Sequence, residues 1–196
     1  LRLVAFADVQ GNPHAVQAIL VAARKVDDAQ IYCLGNAIGA GPDPAACLER
    51  LRKAHVTLVR GEREAAALGM PGGDPQLKVE CKEILAKLPP AEAGYVREAS
   101  PPRRMVVGGR RVLLTGEASP RDVGAADVVL RPGARAVVRR EGSRIEASAG
   151  NAGVDEDGES PFLVYDTEAH EARVHRAAWD RTVLRRNRYG ETTRKL

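Results

Sequence analysis

Histidine and cysteine are scarce in this 196-residue chain, with four of the first and three of the second. Cys33, Cys47 and Cys81 are odd in number and show no C-x-x-C spacing, which excludes a disulfide framework and a thiolate metal site. They read as buried thiols. Aromatic residues are few as well: one Trp, four Tyr and two Phe. That is too few for a sheet whose face stacks successive bases, so a stacking single-strand binder is excluded. Long apolar runs are missing too. The first, Leu1 to Ala7, halts at Asp8, short of a signal sequence, and no stretch approaches the roughly 20 apolar residues that cross a bilayer. The expected location is cytoplasmic, with no membrane partner. No internal repeat, low-complexity segment or domain linker stands out.

What is present suits one soluble α/β domain, since 44% of residues are hydrophobic and 29% are charged. Leu1 to Phe6 reads as a buried strand, followed by a turn at Asp8 to Pro13 and a helix from Pro13 to Lys25. A second strand, Gln30 to Leu34, leads through Gly35-Asn36 and Gly39 to Pro44 into a helix over Pro44 to Lys53. A third strand, Val56 to Arg60, ends at Gly61-Glu62-Arg63-Glu64. Strands alternating with helices at this spacing imply parallel pairing through crossovers. After a helix over Lys78 to Leu88, stopped by Pro89-Pro90, the pattern turns to hairpins. Strands are expected at 103–107, 111–114, 126–130, 136–140, 144–148, 161–166 and 172–177, mainly antiparallel.

Ligands of such sheets bind at the carboxyl ends of the strands. Asp8, Asn36 and Glu62 fall there. The segments Ala7-Asp8-Val9-Gln10-Gly11-Asn12, Cys33-Leu34-Gly35-Asn36 and Val59-Arg60-Gly61-Glu62-Arg63-Glu64 follow the first three strands. With Thr115-Gly116 and Gly150-Asn151-Ala152-Gly153 further along, the chain resembles the calcineurin-like metallophosphoesterases, and most closely their small prokaryotic phosphodiesterase branch. The resemblance spans nearly the whole chain and implies a four-layer α/β/β/α sandwich of two mixed β-sheets flanked by helices. In that family D-x-H, G-D, G-N-H-D/E, H-G and G-H-x-H segments hold two divalent metals and a bridging hydroxide, the nucleophile for a phosphoester.

Matched residue by residue, only Asp8 is retained unchanged. Gln10 stands at the first His, Asn36 at the bridging Asp, Glu62 at the Asn ligand and Arg63 at the catalytic His. Thr115 replaces the next His, and Pro132-Gly133-Ala134-Arg135 replaces G-H-x-H, with Gly133 and Arg135 at its two histidines. A neutral amide is a weak ligand and guanidinium is none. The resemblance therefore implies a degenerate member that has lost the di-metal site and catalysis, with no cofactor expected. The alternative is a weak phosphodiesterase using one Mn, Zn or Fe at Asp8, Asn36 and Glu62.

Arg63 and Arg135, with Arg131 nearby, are expected to project into the volume the metals leave. There they would bind a phosphate or nucleotide, or pair with Asp8 and Glu62 and plug the pocket. Gln10 and Thr115 are expected to hydrogen-bond neighbouring loops, Asn36 to serve as a left-handed turn residue, and His14 to start a helix rather than ligate metal. Gly39-Ala40-Gly41-Pro42 lacks the ending of a P-loop, and Ser119 and Ser148 lack a nucleophile elbow.

The net charge of +4, from 30 cations against 26 anions, is local rather than global. Residues 176–196 hold seven cations and two acids, a net +5, which leaves residues 1–175 at −1. The domain is placed at 1–180 and a basic C-terminal segment at 181–196. That segment reads as a solvated helix face, or alternatively as a nucleic-acid attachment. A protein partner is the remaining expectation.

Overall fold

The computed structural model describes residues 1–153 and 159–178. The acidic stretch at 155–158 and the basic C-terminal segment lie outside these residues. Among the described residues, ten strands form two mixed five-stranded sheets flanked by helices. The first sheet has the order β10-β9-β1-β2-β3 and the second β4-β5-β6-β8-β7. In the first, β1 (Arg2–Phe6) is parallel to β2 (Ala29–Cys33), which is parallel to β3 (Thr57–Leu58). The antiparallel pair β9 (Glu159–Asp166) and β10 (Glu171–Ala178) completes it beside β1.

Strand β1 is buried on both faces, and its alternation divides the core. Leu3 and Ala5 face the second sheet, whereas Val4 and Phe6 face the helices. Burying such a side chain stabilises by roughly 1.5–3 kcal/mol. A one-residue slip would exchange the two faces and drive Phe6 into space shaped for Ala5, so the register is pinned. Helix α1 (Pro13–Ala23) starts where the Asn12 side chain accepts from the His14 and Ala15 N–H groups at 3.0 and 3.2 Å. It buries Val16, Ile19, Leu20 and Ala23 at helical spacing. Helix α2 (Pro44–Lys53) is capped by Asp43 and buries Cys47, Leu48 and Leu51.

Two helices were not legible as such. Helix α3 (Glu62–Ala67) follows the third strand where no helix is expected, and α5 (Pro90–Arg97) begins where Pro89-Pro90 reads as a stop. Proline at the first helical position forfeits only an N–H that has no partner there. Between them, α4 (Pro75–Lys87) is capped by Asp74. Strand β3 keeps only two residues because the chain beyond Leu58 takes a second neighbour. The Ser100 N–H donates to the Leu58 carbonyl at 2.9 Å, and Arg60 N–H to the Ser100 carbonyl at 2.7 Å.

The strands after residue 100 pair mainly antiparallel, as expected, but the second sheet has a parallel centre. Its edge pairs are antiparallel, β4 (Arg103–Val107) with β5 (Arg110–Leu114) and β7 (Ala136–Glu141) with β8 (Arg144–Ala149). Its centre is parallel, β5 with β6 (Val128–Arg131) and β6 with β8. The β5-to-β6 crossover is made by a loop rather than a helix. Arg104 donates to the Val123 and Asp122 carbonyls, Arg144 to those of Ala126 and Gly124, and Arg131 to that of Ala118. Three strands thus staple residues 118–126 across the outer face, where Val123 and Ala126 cover Leu113 and Val129.

Candidate functional site

The carboxyl ends of β1, β2 and β3 meet the end of β5 at a cluster of glycines. Gly61 and Gly116 form an isolated parallel bridge between the two sheets. A Cβ on Gly35, which sits at φ 87°, would lie 2.5 Å from the Gly61 Cα. Glycine is therefore required for the strand ends to converge. Gly41 has a related role: a Cβ there would overlap the Gln10 carbonyl oxygen, which accepts from the Gly41 N–H at 2.9 Å. The Gly39 to Pro42 turn is a packing device that locks the loop after β2 onto the loop after β1.

Three non-glycine residues here hold left-handed backbone: Asp8 at φ 57°, Gln10 at 46° and Asn36 at 54°. Such conformations cost energy and persist only where the surroundings fix them. Here the Asp8 N–H donates to the Gly35 carbonyl at 3.1 Å and the Gln10 N–H to that of Asn36 at 2.9 Å.

Asn36 is the hub. Its Nδ2 donates to Asp8 Oδ1 at 2.7 Å, and its Oδ1 accepts from the Arg63 N–H at 3.0 Å. The second bond fixes which end of the amide faces Asp8, because a backbone N–H requires the oxygen. Its own N–H donates to Glu64 Oε2 at 2.8 Å. Glu64, fully buried, also accepts from the Gly61, Ala37 and Ile38 N–H groups at 3.0, 2.8 and 3.3 Å. It belongs to the Gly61-Glu62-Arg63-Glu64 segment, but its role as the anchor of this loop was missed. The legible signal was the capping pattern of Glu at the third position of a helix.

A cavity of about 650 Å³ opens over these residues, lined by Asp8, Asn36, Arg60, Glu62, Glu117 and Asn151 among others. Asp8, Asn36 and Glu62 are thus brought together. Gly133 lines the same cavity, whereas Gln10 does not. Thr115 is fully buried and accepts from the Glu117 N–H at 3.1 Å, shaping the loop that follows. His14 lies in the first turn of α1.

The expectation for the arginines needs correction. Arg63 turns away from the cavity to Glu80 of α4, with Nη1 to Oε1 at 2.9 Å. It does so because the Arg63 backbone, tied to Asn36, is already committed to the first turn of α3, beside α4. Arg135 is exposed and does not line the cavity, and Arg131 is spent on the Ala118 carbonyl at 2.5 Å. Neither a plug formed with Asp8 and Glu62 nor a cluster of guanidinium groups in the cavity is assembled. Asp8 is raised above its ordinary carboxyl value, first by burial; the Asn36 hydrogen bond and the Arg63 charge act against the rise, and the Glu64 and Glu62 charges add to it. All three cysteines are buried, and burial pushes the Cys33 and Cys47 thiols up, Cys47 to about 12, which makes them inert.

The residues present do not fit a di-metal centre. Among the described residues no three His, Cys, Asp or Glu side chains are grouped to hold a metal. The Asn36 oxygen is consumed by a backbone N–H, and its nitrogen donates where a bridging ligand must offer lone pairs. No described helix is long and apolar enough to cross a membrane.

No family model and no curated protein matches the chain. Solved structures do. A hypothetical protein from Pyrococcus horikoshii superposes with a TM-score of 0.77 at 17% identity, over 94% of this chain and 90% of that one. A metallophosphoesterase from Sphaerobacter thermophilus gives 0.71 at 20% identity, over 96% and 93%. A phosphoesterase from E. coli gives 0.55 at 18%, over 92% and 100%. At these identities the likeness establishes the metallophosphoesterase fold, and function is argued from the site.

Proposed function

We propose that the chain is a binding protein on the metallophosphoesterase fold, a degenerate member of the calcineurin-like group that has given up di-metal phosphoester hydrolysis. The observation that carries this reading is the Asn36 amide. Held between Asp8 and the Arg63 N–H, it sets a donor at the place where the family's metals need an acceptor. The loss is chemical rather than architectural, since the glycine-lined strand ends, the left-handed turns and the cavity all remain. A site with its geometry intact and its ligands replaced suits recognition of a ligand or a protein partner.

A second reading has one observation in its favour: Asp8, Asn36 and Glu62 line the same cavity, as a reduced one-metal phosphodiesterase site would require. One experiment separates the two. Protein purified without chelator is expected to contain well under one equivalent of Mn, Zn or Fe and to leave an aryl phosphodiester uncleaved with added Mn²⁺. Stoichiometric metal, with turnover abolished by Asp8→Ala, would overturn the binding reading.

A further inference from the structure

We draw no further inference here: the strongest candidate, the cleft of about 800 Å³ between the α3–α4 turn and the 120–122 loop, shares Glu62, Met70 and Glu117 with the cavity already described, and nothing in the structure shows what covers its apolar floor of Leu77, Pro102 and Leu113.

Discussion

Asn36 touches two carboxylates, and the two have opposite circumstances. Glu64 lies on the helical side of the loop and receives four backbone N–H groups, from Asn36, Ala37, Ile38 and Gly61. Asp8 lies on the cavity side and receives the Asn36 amide, and among the described residues no cation is in ion-pair contact with it. The first carboxylate is an internal structural element whose every oxygen is used. The second is left partly desolvated at the edge of an open space, and burial raises its affinity for a proton. A carboxylate whose lone pairs are all taken stabilises the loop that surrounds it, whereas the burial of one left short of donors is only partly offset. The fully bonded carboxylate and the partly bonded one are thus divided by a single side chain.

The comparison breaks most visibly at Glu64. In Glu64→Ala, four N–H groups at the turns after β2 and β3 lose their acceptor in a place closed to water. We expect a loss of about 3 kcal/mol or more in unfolding free energy, read from the denaturant midpoint. Glu64→Gln should recover part of that loss, because one of its two ends still accepts. A loss below about 1 kcal/mol for Ala would mean that water satisfies the loop, and the division drawn here would not hold.

The scaffold half was largely legible because its signals are local. Asn12-Pro13 and Asp43-Pro44 announced helix starts, and the strands after residue 100 fell close to their expected places. Their mainly antiparallel pairing was legible as well, but the parallel centre of β5, β6 and β8 was not, because a strand's own alternation carries no record of its neighbour's direction. Asp8, Asn36 and Glu62 were placed at one site because the carboxyl ends of parallel strands converge. The arginines were misjudged for a physical reason: a position in a motif fixes where a Cα lies and leaves a long side chain free to find its nearest carboxylate. For Arg63 that is Glu80, 17 residues on and in another helix. Asn151 joins the cavity from the Gly150-Asn151-Ala152-Gly153 segment, whereas Glu117 joins it from a loop that no spacing in the chain announces.

A smaller effect tests that misjudged contact. The Arg63–Glu80 pair links α3 to α4 and is partly exposed, so Arg63→Ala and Glu80→Gln should each cost about 0.5–1 kcal/mol or less. The double variant should cost less than the sum. An additive double variant would show that the two side chains are not coupled and that Arg63 is not held at Glu80.

The smallest change is expected at Asp8, where the sign is the informative part. Its carboxyl is raised above the ordinary value near 3.8, so between that value and its raised one the folded chain binds more protons than the unfolded chain. Stability from this group is therefore present below the ordinary carboxyl range and is lost as pH rises through the raised value. At neutral pH the ionised group is a net cost, and Asp8→Asn, which keeps an acceptor for Asn36 without the charge, should melt slightly higher than the parent. The gain should shrink as the pH falls below about 4, where both chains are neutral at this position. A gain independent of pH, or a destabilised variant at pH 7, would show that the ionised Asp8 is already compensated in the folded chain.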